Sequence, residues 1–102
     1  MNRLTAFFIA TFMAFGTGLA HARDLNADEA RKLRDAGTIL SFEKLNAAAL
    51  AEHPGATLTE TELEEEYGKY IYQVDLRDME GIEWDLEFNA TNGTVLKNHQ
   101  DR

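Results

Sequence analysis

The sequence predicts an α+β domain: two N-terminal helices packed on one face of a four-stranded antiparallel meander sheet. Three observations predict it. Between Leu25 and Glu52 apolar residues recur three and four positions apart, the spacing of a helix face. From Ala56 onward the spacing becomes two, and in Ile82-Glu83-Trp84-Asp85-Leu86-Glu87-Phe88 every even position is large and apolar while every odd one is acidic. Such alternation describes a strand with one face in a core and one in water. Finally, Asp78–Gly81 and Asn89–Gly93 carry turn chemistry and divide the second half into hairpin-sized pieces.

Residues 1–22 precede these elements. Arg3, the uncharged run Leu4–Ala20 and Ala20-His21-Ala22 form the basic start, apolar centre and small-residue site of a secretory signal, cleaved before Arg23. Threonines and glycines weaken the run as a permanent membrane span, and with no cysteine behind it a lipid anchor is excluded. The expectation is a periplasmic or secreted single domain, residues 23–102, with no stable membrane anchor after cleavage. The first helix begins at Asn26, a cap with Glu29 three residues on as its capping-box partner, and stops at Gly37. Its apolar stripe (Ala30, Leu33 and Ala36 or Gly37) is thin, so it is expected to dock shallowly. The second begins at the cap Ser41, buries Phe42, Leu45 and Ala49, and ends at His53-Pro54-Gly55.

The first strand, Ala56–Tyr67, is irregular. Leu58 and Leu63 are five apart and share a face only across a bulge, expected near Glu60–Glu62. The next two strands place Tyr70, Tyr72, Val74 and Leu76, then Ile82, Trp84, Leu86 and Phe88, toward the core. With a three-residue loop of Met79, Glu80 and Gly81, the shared parity pairs Leu76 with Trp84, Val74 with Leu86 and Tyr72 with Phe88. On the wet face it sets Arg77 beside Glu83 but Asp75 beside Asp85, a like-charge contact that water screens or a cation relieves. For the last hairpin Asn92-Gly93 fits a two-residue turn, or glycine sits in the bulge of a three-residue loop. Parity favours the second, placing Leu96 in the core opposite Phe88.

Composition narrows the function. With no cysteine and a net charge of −8, the chain is no disulfide scaffold and has no Cys-ligated metal. A nucleic-acid partner is also disfavoured, because binding one requires neutralising phosphates. His53 and His99 lack metal-ligand spacing, Ser41 is engaged as a cap, and no pair of carboxylates is marked out for acid–base work. The expectation is therefore a non-enzyme with no catalytic residue, cofactor or metal. The notable feature is the acidic face formed by Glu60, Glu62, Glu64, Asp75, Glu83, Asp85 and Glu87. Such a face keeps a sheet soluble and unaggregated; alternatively it docks a basic partner or weakly holds a divalent cation.

Pro54-Gly55-Ala56 leading into acidic Glu60–Glu66, Tyr67-Gly68, Tyr70-x-Tyr72-x-Val74 and Asn89-Ala90-Thr91-Asn92-Gly93-Thr94-Val95-Leu96 follow one another in an order that resembles the PepSY domain family over roughly Leu25–Asp101. In the closing hairpin Asn89 stands for the family's aspartate and Asn92 for its threonine. The resemblance implies a small exported, non-catalytic domain of the kind found in propeptides of thermolysin-like metallopeptidases and as stand-alone periplasmic proteins. With no peptidase attached here, any restraint of a peptidase is expected to act between separate molecules. Two kinds of protein partner follow: a peptidase or other envelope protein held by the exposed sheet or a strand edge, and the extracytoplasmic part of a membrane sensor held by the acidic face.

Overall fold

The computed structural model describes residues 22–101; the segment expected to be a signal, residues 1–22, lies outside them apart from Ala22. Two helices, α1 (Ala27–Asp35) and α2 (Phe42–Glu52), lie against a sheet of five strands: β1 (Ala22–Asp24), β2 (Thr57–Glu66), β3 (Lys69–Arg77), β4 (Glu83–Asn89) and β5 (Val95–Gln100). The strands follow sequence order across the sheet, each antiparallel to the next.

Local chemistry sets the helix ends. Asn26 Oδ1 accepts from Glu29 N at 2.9 Å and Glu29 Oε1 accepts from Asn26 N at 3.2 Å, a reciprocal capping box. Ser41 Oγ accepts from Lys44 N at 3.2 Å and caps α2. Of α1 only Ala30 is buried. The helix sits shallowly because beside Ala30 only Leu33 packs on the core, and that one partly exposed. By contrast, α2 buries Leu45 and Ala49 completely and stacks Phe42 on Tyr72 with ring centroids 5.1 Å apart. Tyr72 donates its hydroxyl to Asn46 Oδ1 at 2.7 Å, so its polar end is satisfied where its ring is buried.

The β3–β4 hairpin has the register that side-chain parity dictates: Leu76 opposite Trp84, Val74 opposite Leu86 and Tyr72 opposite Phe88. Tyr72, Val74, Leu76, Leu86 and Phe88 form the buried centre with Leu45, Ala49, Leu63 and Ile39. Phe42, Tyr70 and Trp84 are half-buried around that centre, and Ile82 is half-buried in the turn before β4.

Four features depart from the sequence expectations. The sheet has a fifth strand, β1, at the expected cleavage site: Ala22, Arg23 and Asp24 pair with Glu66, Glu65 and Glu64. Three residues are too few to show a periodicity, and this strand is held by backbone bonding continued by Leu25 N to Leu63 O, 2.8 Å, and by Arg23, which reaches Glu65 at 2.9 Å and Glu29 at 3.1 Å. The β2 bulge falls at Thr59, just before the expected Glu60–Glu62, where the Thr59 hydroxyl donates to Asp75 O. The shift returns Leu58 and Leu63 to one face. In the last hairpin Phe88 pairs with Val95, not Leu96, and the register slips so that Glu87 meets Lys97. Leu96 is the extra residue of that bulge and is 51% exposed, so it is not a core residue. The loop closes with Asn89 N on Thr94 O (2.8 Å) and Gly93 N on Asn89 O (2.7 Å), one residue longer than parity alone indicates. Lastly Ile71, on the wet side by alternation, is only 8% exposed.

Candidate functional site

Strand alternation and register place Glu60, Glu62, Glu64, Asp75, Glu83, Asp85 and Glu87 on the sheet face away from the helices. Cross-strand pairing arranges them in rows. Glu60, Asp75 and Asp85 stand side by side on β2, β3 and β4, continued by His99 on β5. Glu62, Gln73, Glu87 and Lys97 form the next row, and Glu64, Ile71 and Asn89 the third. Glu83 lies at the other end, paired with Arg77 at 2.9 Å.

Two of the seven carboxylates have basic partners among the described residues: Glu83 through Arg77, and Asp85 through Lys97 Nζ at 3.0 Å. The cation that relieves the Asp75–Asp85 contact is thus a lysine of the neighbouring strand, reaching diagonally past its own opposite number Glu87. Asp85 in turn holds the Lys97 ammonium above its ordinary pKa. The relief is one-sided. Burial, then the Asp85, Glu60 and Asp101 charges, push the Asp75 carboxyl above its ordinary value.

At the β1 end the sheet gathers Glu62 and Glu64 of the expected acidic face with Asp24, the member that sequence reasoning missed. Asp24 pairs across from Glu64, and the carboxylate oxygens of Asp24, Glu62 and Glu64 lie within 4.8 Å of one another. Repulsion from Asp24, then burial and Glu60, raises Glu62; burial, then Asp24 and Glu62, raises Glu64. Three oxygens in this arrangement suit a divalent cation or the ammonium or guanidinium of a partner. Asp24 carried no signal in the sequence, since its place depends wholly on the short strand β1.

His53, Asp78 and Ser41 are engaged structurally. His53 stacks on Trp84 with centroids 4.2 Å apart, and its Nε2 donates to Asn98 Oδ1 at 2.8 Å, because Asn98 turns its amide nitrogen to Glu52. Trp84 Nε1 donates to Asp78 Oδ2 at 2.9 Å while Asp78 Oδ1 accepts from Glu80 N and Ile82 N. That Trp84 bond, with the backbone bonds, holds Asp78 below the usual carboxylate range. This aspartate closes the β3–β4 turn and fixes the tryptophan. Ser41, as expected, caps α2.

No helix among the described residues is long and apolar enough to cross a membrane. No solved structure gives a significant match to the chain. It is 30% identical over 70 residues to the uncharacterized protein YkoJ of Bacillus subtilis (strain 168), an alignment covering 68% of this chain and 41% of that relative, so the chain spans about two fifths of the relative's length. Residues 39–99, from the residues before α2 into β5, match the family described as "Peptidase propeptide and YPEB domain", with β1 and α1 outside the matched region. The match covers more than half of the chain and includes the ladder that carries the carboxylate rows: this chain belongs to the PepSY family.

Proposed function

We propose that this protein is an exported, non-enzymatic binding module that recognises a basic protein surface through its carboxylate face and so restrains a peptidase or another envelope protein. The observation that carries the reading is the row Glu60–Asp75–Asp85, like charges set side by side although Lys97 answers only one of them. Such an arrangement opposes folding, and a basic partner relieves it on binding. The family's description as a peptidase propeptide domain favours a peptidase as the target. On the same reading the leader is cleaved before Arg23, which removes Ala22 but leaves Arg23 and Asp24 paired with Glu65 and Glu64, on a periplasmic or secreted chain. An intact mass starting elsewhere than near Arg23 contradicts that part.

A second reading uses the same face. The protein then acts as an accessory to the extracytoplasmic part of a membrane sensor, and association through charge gives it a strong salt dependence. Capture from envelope extract on the immobilised protein separates the two. Enrichment of a peptidase supports the first, enrichment of a sensor the second, and a bound fraction identical to that of bare support contradicts both.

A further inference from the structure

The β2 strand is ten residues long, but β1 covers only Glu64–Glu66 of its outer side. From Thr57 to Glu62 that side has no neighbouring strand among the described residues. Leu63 turns its carbonyl outward to accept from Leu25 N. By the two-residue repeat of a strand, Thr61 presents its N–H and C=O to the same open side. Beside this edge, on the helix side, a groove of about 290 Å³ opens between the start of α1 and α2; Ala27, Ala30, Phe42, Leu63 and Tyr72 give it apolar walls, and Thr61, Asp24 and Glu62 border it where it meets the edge. On the opposite side of the same edge stand Glu60 and Glu62, with Asp24 closing the row at the end of β1.

We propose that the open edge of β2, Thr57–Glu62, takes an extended partner segment as an added strand, antiparallel to β2 and in line with β1, whose side chains alternate between apolar and basic. This rests on the binding-module reading above and names the partner chemistry of that site. The two sides of the edge dictate the alternation. Side chains of an added strand point alternately to the two faces of the sheet. Those on the helix side meet the groove before Phe42 and Tyr72, and those on the other side meet Glu60, Glu62 and Asp24. A lysine or arginine there enters the carboxylate cluster and forms charge-assisted hydrogen bonds with it. Main-chain bonds to Thr61 supply affinity, and the alternating side chains supply specificity. A second copy of this chain is a poor occupant, because pairing two β2 edges sets Glu60 and Glu62 of both copies together.

The test uses a capped hexapeptide of alternating lysine and valine, with the glutamate–valine hexapeptide as control, titrated into isotope-labelled protein. The proposal expects amide shifts concentrated at Thr57–Leu63 and around Phe42 and Tyr72, and slowed hydrogen exchange at the Thr61 N–H. Thr61→Pro removes the outward N–H together with the Thr61 hydroxyl that bonds Tyr72, so Thr61→Val, which loses the hydroxyl alone, is its control; the proposal expects affinity to fall about tenfold in the proline variant relative to the valine one, as for a lost main-chain bond. Glu62→Gln, which leaves the edge intact, is expected to weaken binding and flatten its salt dependence. Shifts confined to the wet face of β3 and β4 overturn the edge proposal while leaving the carboxylate-face reading standing. Absence of peptide binding also overturns the edge proposal, and the capture experiment then decides the broader reading separately. Concentration-dependent burial of Thr57–Leu63 without peptide assigns the edge to self-association and overturns the proposal as well.

Discussion

Single residues decide where this fold tolerates change. Trp84 fills the seam between α2 and β4, stacked by His53 and tied to Asp78. Trp84→Ala is expected to lower stability by about 3 kcal/mol, whereas Trp84→Phe, which keeps the stack and loses one hydrogen bond, is expected to cost about 1 kcal/mol; chemical denaturation reads both. Asp75 should behave in the opposite sense. Its pKa is raised in the folded protein, as are those of Glu62 and Glu64. The folded state therefore holds protons that the unfolded chain has released, and stability falls as pH rises from the unfolded to the folded pKa. Asp75→Asn should accordingly raise the melting temperature at neutral pH, with the gain shrinking as pH falls toward about 4, where the unfolded carboxyl also protonates. Glu29 and Asp78 are shifted downward, and the stability they contribute above the ordinary carboxylate range is lost as pH falls through their folded values. Thermal melts across pH should thus show a maximum in mildly acidic solution. The inward set of the β3–β4 hairpin was legible residue by residue because large apolar and charged side chains alternate without exception from Ile82 to Phe88. Leu96 was not, because an apolar residue in a bulge reads the same as one in a ladder.

Whole elements were legible where one signal dominated. Caps at Asn26 and Ser41 announced both helices, and Asn26→Ala is expected to cost roughly 1 kcal/mol, the typical worth of such a cap. Because α1 buries only Ala30, that loss should appear as fraying: amide exchange in α1 should quicken while β3 and β4 stay protected. The β3–β4 register followed from parity, since slipping it by one residue exposes Trp84, Leu86 and Phe88 together. The bulge in β2 was required by the Leu58–Leu63 spacing, but its place at Thr59 is set by a hydroxyl-to-carbonyl bond that no pattern encodes. Backbone pairing and the Arg23 bridges to Glu65 and Glu29 make β1, in a segment whose sequence reads as a processing site. The Asp24–Glu62–Glu64 cluster was hidden for the same reason, while the seven carboxylates of β2–β4 were readable from alternation.

At the scale of the molecule, the sheet separates two environments. The helix side holds the apolar core, and the far side holds rows of carboxylates of which Arg77 and Lys97 answer two. A purely solubilising face would intersperse the signs more evenly. This one concentrates negative charge across three adjacent strands, a field suited to steering a basic partner and sensitive to ionic strength. The most direct measurement is retention of envelope proteins on the immobilised wild-type protein against a Glu62→Gln, Asp75→Asn, Glu87→Gln variant shown by circular dichroism to fold alike, followed as salt is raised. A partner is expected to be held by the wild type near 0.05 M salt, released by about 0.5 M as screening lengths shorten, and not retained by the variant at either concentration. Equal retention by both proteins, independent of salt, would contradict it.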